Sequence, residues 1–333
     1  MSWLYRIGIG HRNRGFDAGR GVTKLDLPVV SIGNLSTGGT GKTPMVHRFV
    51  RILQDMGHHP VIAMRGYGAK AGEKGDEQQE HEMALPGVPI VAQPDRLAGL
   101  RSLLASSEGA AIDCVVLDDG FQHRKIARDL DVVLIDASRP PDRDALLPKG
   151  HLREPIESLT RAGMIVLTHA ERVEEREITR LRALVARQNP DASVLVARHA
   201  WSGFVQHTRQ DSGWVEEDVG IDELRDEVFR VVCGIGNADA FLRMYEAVGL
   251  RQKEVIRLRD HATLPDSAVA KLGNSQNQGR ISPIFMTRKD WVKTRDHDQW
   301  ERGSRVVLPN LSIDLGAEED GEQLVLDQLY TLF

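Results

Sequence analysis

The sequence predicts an α/β protein in which a doubly wound, mostly parallel sheet is joined to a second, smaller α/β domain. Over the first 200 residues, short apolar segments rich in β-branched residues alternate with segments of helical periodicity, which is typical of repeated βα units. A polar interval over residues 201–227 precedes a second alternating set. A chain of 333 residues is long enough for both domains to bury a core. We therefore predict domains over residues 1–200 and 201–333.

The first predicted strand and the helix that follows it have the clearest local signals. Residues 27–32 are apolar and β-branched, and the helix predicted over 44–56 can be capped by Gly57. One face of this helix carries Val46, Phe49, Val50 and Leu53. Further strands of the first domain are predicted at 60–64, 88–91, 112–117, 131–135 and 164–167. The second domain is predicted to contain strands at 228–233, 283–286 and 306–308, with helices at 238–248 and from about residue 319 onward.

Composition argues against several classes of protein. The net charge of −5 is unfavourable for a general nucleic-acid binder. Cys114 and Cys233 lie far apart within apolar segments, so we expect buried, reduced thiols rather than a disulfide or a metal site. The sequence has no apolar run of eighteen residues and no secretory signal, which predicts a protein that stays in the cytoplasm.

The first 24 residues combine basic and apolar side chains. Five cations against the single acid Asp17 give this segment a charge of +5 − 1 = +4, and Trp3, Leu4, Ile7 and other apolar residues lie between them. One interpretation is a segment that binds an anionic membrane surface. The other is a frayed basic terminus, because five glycines by position 21 weaken any helix.

A glycine-rich segment between the first strand and its helix has the order that a P-loop requires. Backbone N–H groups of such a loop and the N-terminus of the helix converge on phosphate oxygens. The predicted phosphate cradle consists of Thr37, Gly38, Gly39, Thr40, Gly41, Lys42 and Thr43. Lys42 would reach the β- and γ-phosphates, and Thr43 would hold Mg²⁺. Ser36 stands where the strict pattern has glycine, so the alternative is a glycine-rich turn without nucleotide.

A pair of carboxylates ends the strand predicted at 112–117. Asp118 and Asp119 would lie at the carboxyl edge of the sheet, where a P-loop enzyme needs an acidic group for Mg²⁺. Taken alone, Asp-Asp-Gly is also a common solvated turn. Gln122 and His123 follow closely enough to contact a substrate at the mouth of the site.

Several motifs together bring a specific resemblance. In order and spacing, the chain from about residue 27 onward resembles the tetraacyldisaccharide 4′-kinases of lipid A biosynthesis. A hydroxy residue at the first P-loop position is normal in that family. The resemblance is carried by residues 33–43, 65–68, 118–123, 147–155, 260–261 and 286–290.

The resemblance implies an ATP- and Mg²⁺-dependent kinase acting on the 4′-hydroxyl of a membrane-embedded, acylated glucosamine disaccharide 1-phosphate. The expected fold is P-loop NTPase-like and consists of two α/β domains that close on the active site. The protein is expected to be a monomer at the cytoplasmic face of the inner membrane of a Gram-negative-type bacterium. It places the catalytic aspartate at Asp76 and its partner at His261, and it assigns Glu154 a place near Mg²⁺. The alternative for Glu154 is an ion pair with Arg153. Besides Gln122 and His123, predicted substrate contacts are Asn34 and Arg65.

The resemblance of the residues around Asp76 to the family's motif ends at Glu77. Residues 78–82 are polar where the family has proline and aliphatic residues, and a solvated loop is the usual structure of such a run.

Two rival functions belong to other classes. A regulatory P-loop GTPase or metallochaperone would need a guanine-reading Asn-Lys-x-Asp motif after a late strand. Residues 168–171 and 287–290 are the nearest candidates, and neither matches. A lipid- or sugar-binding protein without catalysis would leave the Gly-Lys-Thr and Asp-Asp motifs without a purpose.

Overall fold

The chain folds into two units in the computed structural model, which describes residues 2–66, 74–259, 262, 264–273, 276, 277, 280–316 and 320–333. The first unit comprises residues before 74, His81–His199 and Ile313–Phe333, and the second comprises Lys74–Glu80 and Ala200–Ser312. The segment 313–333, which sequence assigned to the second domain, therefore belongs to the first unit.

A seven-stranded parallel sheet forms the centre of the first unit. Its strand order is β3-β2-β4-β1-β5-β6-β7. The strands are β1 (Val29–Asn34), β2 (Pro60–Met64), β3 (Ile90–Ala92), β4 (Cys114–Asp118), β5 (Leu130–Asp136), β6 (Met164–Thr168) and β7 (Ser193–Val196). The predicted parallel sheet is confirmed, and β7 is a strand that was not predicted. β1 and β4 are neighbours, so their carboxyl ends lie side by side.

Helices flank the strands of this sheet along the chain. They are α1 (Ser2–Asp17), α2 (Lys42–Asp55), α3 (Asp76–Ala84), α4 (Arg96–Leu104) and α5 (Glu175–Gln188). The four residues predicted to share one face of α2 are fully buried, and Gly57 follows the helix in a left-handed conformation with φ of +91°. In the part of the chain that the structure describes, no helix is both long and apolar enough to span a bilayer.

α1 forms despite its glycines because side chains hold it against the first unit. Tyr5 donates a hydrogen bond to the carbonyl of Arg153 (3.0 Å), and Arg124 donates to Asp17 (2.7 Å). The guanidinium of Arg124 also lies 5.5 Å from the centre of the Phe16 ring. The N-terminal segment is thus a docked helix, and the frayed terminus is not what the structure shows.

The second unit contains a mixed sheet of order β11-β10-β14-β15-β8-β9. Its strands, together with the short hairpin β12–β13, are β8 (Arg198–Gln210), β9 (Gly213–Val219), β10 (Val228–Cys233), β11 (Arg251–Arg257), β12 (Gln276–Asn277), β13 (Arg280–Ile281), β14 (Ile284–Met286) and β15 (Arg305–Asp314). Its helices are α6 (Ile221–Leu224), α7 (Ala238–Ala247), α8 (Asp266–Gly273) and α9 (Arg288–Thr294). Phe285 packs among other aromatic rings in its core, including Trp201 with ring centres 5.3 Å apart.

The polar interval 201–227, in which no strand was predicted, contains two strands. β8 and β9 form an antiparallel hairpin at the edge of the sheet, with Phe204 opposite Val219. Only scattered positions of β8, such as Phe204 and His207, are buried. Apolar and polar residues therefore alternate only weakly along this strand, and its sequence is mostly polar. β11 was missed for the same reason, because most of its residues are exposed.

The C-terminal helix α10 (Gly321–Tyr330) explains the wrong domain boundary. Val325 and Leu329 of α10 are fully buried in the same core as Phe49 and Leu53 of α2. The apolar stripe of α10 predicts a helix, but the stripe does not indicate which of two sheets it covers.

Candidate active site

The glycine-rich loop between β1 and α2 has a backbone that only glycine adopts readily. Gly38 and Gly41 have φ angles of +106° and +81°. α2 begins at Lys42, immediately after Gly41, so the unpaired N–H groups of its first turn lie at the loop. Ser36 instead forms an isolated antiparallel bridge with Leu152, which places no demand for glycine there. The arrangement suits an anionic phosphate chain.

Neighbouring groups hold this loop in place. The N–H of Thr37 donates to the carbonyl of His151 (2.8 Å), and the hydroxyl of Thr168 donates to the carbonyl of Thr40 (3.0 Å). The amide of the buried Asn34 donates to the hydroxyl of Thr40 (2.9 Å). Asn34, which was predicted as a substrate contact, is therefore a support of the loop.

Lys42 lies between the loop and the end of β4. Its Nζ is 3.4 Å from Asn34 Oδ1 and 3.5 Å from Asp119 Oδ1. Arg153 Nη1 also donates to Asp119 Oδ2 (2.7 Å). Burial alone would raise the pKa of Asp119, but the Lys42 and Arg153 cations hold it below its usual value. Asp119 is thus an ionised group that orients two cations.

Asp118 is the better candidate ligand for a cation. It is 6% exposed at the end of β4, and its Oδ2 lies 3.1 Å from His81 Nε2. Its Oδ1 is buried and has no hydrogen-bond partner in the part of the chain that the structure describes. An unpaired buried carboxylate oxygen is costly unless a ligand completes it, and a hard oxygen suits Mg²⁺. Thr43, in the first turn of α2, supplies the hydroxyl of the predicted set. The residues present therefore fit Mg²⁺.

A pair of histidines behind Asp118 was missed by sequence reasoning. His81 of α3 is fully buried, and its Nδ1 lies 3.0 Å from Nε2 of His47 on α2. Because a carboxylate only accepts, His81 donates to Asp118 through Nε2, and His47 donates to His81 Nδ1. The sequence of residues 78–82 did not indicate a buried histidine, because a run of polar residues is typical of a solvent-exposed segment. His81 is thus a positioning residue for Asp118.

Replacing His81 tests this support. We expect His81→Leu to raise the Mg²⁺ concentration needed for half-maximal ATP binding by about 10-fold, the lower end of the usual effect of losing a group that orients a metal ligand. Calorimetric titration of ATP at graded Mg²⁺ measures it, with thermal unfolding to verify folding. The exposed His59→Leu is the matched control. An unchanged Mg²⁺ requirement in His81→Leu would show that Asp118 needs no such support.

Glu154 is fully engaged in structural contacts. It is 1% exposed, and its Oε2 accepts a hydrogen bond from Asn13 of α1 (2.6 Å) and pairs with Arg161 (3.0 Å). Arg161 also donates to Oε1 (3.2 Å). The ion pair with Arg153, offered as the alternative, is not formed, because Arg153 pairs with Asp119. The metal role of Glu154 stays a prediction that these contacts do not favour.

The remaining predicted substrate residues differ in their surroundings. Gln122 Nε2 donates to the carbonyl of Asn34 (2.9 Å), while its own backbone carbonyl accepts from Arg12 of α1 (2.7 Å). Burial and the nearby Arg96 cation lower the pKa of His123 to about 4, so its imidazole is neutral at physiological pH. Arg65 is exposed just after β2.

Asp76 begins α3 and belongs to the second unit. Its Oδ2 lies 3.3 Å from Nζ of Lys293 on α9, and the Lys293 side chain is only 4% exposed while that of Asp76 is 39% exposed. The Lys293 ammonium is thus a cationic neighbour of the Asp76 carboxylate, and the partner role of His261 stays a prediction. Asp260 and His261, as well as Tyr67 and Gly68, lie outside the described residues.

Comparisons with known proteins agree with this geometry. The family model described as Tetraacyldisaccharide-1-P 4'-kinase matches residues 1–330. The tetraacyldisaccharide 4'-kinase of Chlorobaculum parvum is 31% identical over 313 residues, covering 89% of this chain and 83% of the relative. That of Syntrophus aciditrophicus is 30% identical over 360 residues, covering 99% and 91%.

A solved structure gives the same result for the fold. LpxK from Aquifex aeolicus, described as an "apo" form in complex with ATP, is similar with a TM-score of 0.75 and 28% identity. The match covers 100% of this chain and 97% of that one. Because the family model matches nearly every residue, the chain belongs to the tetraacyldisaccharide-1-P 4'-kinase family.

Proposed function

We propose that the protein transfers the γ-phosphate of ATP to the 4′-hydroxyl of an acylated glucosamine disaccharide 1-phosphate, giving lipid IVA. Membership of its family makes the protein a kinase of lipid A biosynthesis. The proposal adds the residues that do the work. The observation that carries it is the contact between Lys42 Nζ and Asp119 Oδ1 (3.5 Å), which joins the start of α2 to the carboxyl end of β4, the neighbour of β1.

Each of these residues has a distinct task. The loop 37–43 binds the phosphate chain through backbone N–H groups, and Lys42 neutralises charge that develops on the transferring group. Thr43 and Asp118 would hold Mg²⁺, which when bound would neutralise negative charge on the phosphate chain. Asp119 keeps Lys42 and Arg153 oriented, since its two oxygens lie 3.5 Å and 2.7 Å from them.

Asp76 is proposed to accept the proton of the sugar hydroxyl, on the strength of the family resemblance. We expect Asp76→Asn to lower kcat by about 10²-fold, near the lower end for a general base, because the loose transition state of phosphoryl transfer needs little early proton removal. Binding of ATP should change little. The exposed Asp222→Asn serves as the control, its side chain being 87% exposed. Full activity of Asp76→Asn on the lipid would remove Asp76 from the mechanism.

The lipid substrate calls for a surface that meets the membrane, and we propose that α1 provides it. Trp3, Leu4 and Ile7 are 68%, 64% and 48% exposed, while Tyr5 and Asn13 of the same helix are bound to the first unit. Large exposed apolar side chains beside cations favour an anionic lipid surface. The reaction then takes place at the cytoplasmic face of the inner membrane, with the protein acting as a monomer.

A triple serine variant tests this surface. Replacing Trp3, Leu4 and Ile7 by serine should lower co-sedimentation with anionic vesicles by about 10-fold or more, given the transfer free energy of three apolar side chains. The matched control replaces three other exposed apolar residues, namely Val215, Leu311 and Tyr330, by serine. Equal losses in both variants, or none in the first, would contradict a role for α1.

The GTPase alternative finds no support among the described residues. Thr287 caps α9 by accepting from the N–H of Asp290 (3.1 Å), and Asp290 is 2% exposed and accepts from the N–H of Gly234 (2.9 Å). Both side chains are therefore engaged in hydrogen bonds within the fold, so they are not available to bind a guanine base.

One assay tests the function as a whole. Purified protein is mixed with γ-labelled Mg-ATP and tetraacylated disaccharide 1-phosphate, and the lipid fraction is counted. We expect label on the lipid with ATP and little with GTP. Release of label into water alone, at a rate unaffected by the lipid, would favour a regulatory NTPase.

A further inference from the structure

A cluster of two histidines and one glutamate lies beside the P-loop and has no part in the proposed reaction. His169 follows β6, Glu171 lies two residues further on, and His199 is the second residue of β8. All three belong to the first unit. One ligand atom from each residue lies within 4.8 Å of those from the other two.

The separations within the cluster match those between ligands of one metal ion. His169 Nδ1 lies 3.5 Å from Glu171 Oε1, and His199 Nδ1 lies 3.8 Å from Glu171 Oε2. Two ligands on a tetrahedral metal with bonds of about 2.0–2.1 Å are about 3.4 Å apart. The two rings stack with centres 4.3 Å apart and 22° between their planes, so binding of one ion by both requires a rotation of a ring in addition to a small displacement.

The nitrogens that would bind the ion have no hydrogen-bond partner among the residues that the structure describes. His169 Nδ1 and both ring nitrogens of His199 are buried without one. The His199 side chain is 3% exposed and that of His169 is 8% exposed. Buried polar atoms are normally paired, so three such nitrogens in one cluster are unusual. Two of them, Nδ1 of His169 and Nδ1 of His199, face the Glu171 carboxylate. In the absence of a metal, Arg172 Nε, 3.4 Å from Glu171 Oε1, neutralises the carboxylate.

The other nitrogen of His169 is placed as in known metal sites. His169 Nε2 lies 3.3 Å from the carbonyl oxygen of Gly39. A carbonyl only accepts, so Nε2 carries a proton, and Nδ1 is the ring nitrogen that faces Glu171. Metal-ligating histidines commonly donate their second N–H to a backbone carbonyl in this way. His169 also has a left-handed backbone, with φ of +56° and ψ of +33°, which is uncommon for a residue other than glycine.

We propose that His169, Glu171 and His199 bind a borderline transition-metal ion of the Zn²⁺ type, with water as the fourth ligand. Two imidazoles and one carboxylate suit Zn²⁺ and not Mg²⁺, which prefers oxygen ligands. The Glu171 side chain is 25% exposed and gives the ion and its water a route in. The site is separate from the Thr43 and Asp118 pair.

A metal here would act on the nucleotide loop. His169 holds the carbonyl of Gly39, and a Cβ added to Gly41 would lie 2.8 Å from His199 Nε2. An ion that fixes both imidazoles therefore also fixes the loop at Gly39 and Gly41. Binding of Zn²⁺ and the position of the P-loop are thus coupled through direct contacts.

Direct metal titration tests the proposal without reference to activity. Full-length protein is stripped with a chelator, dialysed, and titrated with Co²⁺, whose visible absorption intensifies in four-coordinate sites; Zn²⁺ affinity is then measured by competition with a chromophoric chelator. We expect one equivalent to bind. Glu171→Gln and His199→Asn should each weaken binding by more than about 10-fold, an effect at least as large as losing an orienting group.

Two controls decide where the ion is bound. His59→Asn removes an exposed histidine, and Asp118→Asn removes the proposed Mg²⁺ ligand; both should keep the affinity of the unaltered protein. Thermal unfolding verifies folding, and Glu171→Gln, at a partly exposed side chain, keeps the test decisive where His199→Asn fails to fold. The proposal is overturned by absence of binding, by binding unaffected by Glu171→Gln, or by loss in Asp118→Asn.

Discussion

Lys42→Ala is expected to lower kcat/KM for lipid phosphorylation by about 10³-fold or more, the scale of a single cation placed on a transferring phosphoryl group. Nζ of Lys42 is held at 3.4 Å from Asn34 Oδ1 and 3.5 Å from Asp119 Oδ1. It is therefore oriented before nucleotide binds, and its loss removes charge stabilisation that no exposed lysine replaces. Labelled transfer to the lipid measures the effect.

The control for this variant is Lys125→Ala, which removes an exposed lysine. It should leave the rate unchanged. A Lys42→Ala enzyme that keeps more than about a tenth of the activity would contradict the assigned role, since removal of even one neutral transition-state donor commonly costs more.

Asp118→Asn is expected to lower the rate of Mg²⁺-dependent turnover by about 10³-fold, because a bound metal contributes several kcal/mol of charge stabilisation to such a reaction. The amide that this substitution introduces carries no net charge, so it is a weaker ligand for a divalent cation than the carboxylate. Kinetics at increasing Mg²⁺ measure the change. We expect a higher Mg²⁺ requirement as well as a lower maximum rate.

Asp211→Asn is the matched control, since the side chain of Asp211 is 76% exposed. If Asp118→Asn needed no more Mg²⁺ than the unaltered enzyme, Asp118 would not be the ligand. Asp119→Asn in parallel separates the two carboxylates. It should disturb Lys42 and Arg153 while leaving the Mg²⁺ requirement nearly unchanged.

The parts of the site that sequence predicted are those formed by neighbours along the chain. A strand, a glycine-rich turn and a helix follow one another within 29–55, so local pattern determines where Lys42 and Thr43 lie. Asp118 and Asp119 were found because they end an apolar strand, and parallel topology brings that end beside β1.

The missed parts depend on contacts between distant segments. His81 is buried against Asp118 although its sequence neighbours are polar, and nothing in its own segment indicates a buried partner 37 positions away. His169 and His199 stack with ring centres 4.3 Å apart, yet each is a lone histidine in the sequence. The hairpin β8–β9 was predicted only as a polar interval, because an edge strand exposes most of its side chains.

The most direct test of the central claim is calorimetry of nucleotide binding to the full-length protein. The account predicts that one equivalent of ATP binds in the presence of Mg²⁺, that GTP binds much more weakly, and that Lys42→Ala sharply reduces the affinity. Absence of ATP uptake by the unaltered protein, or uptake that Lys42→Ala leaves unchanged, would contradict the assignment of residues 37–43 as the phosphate site.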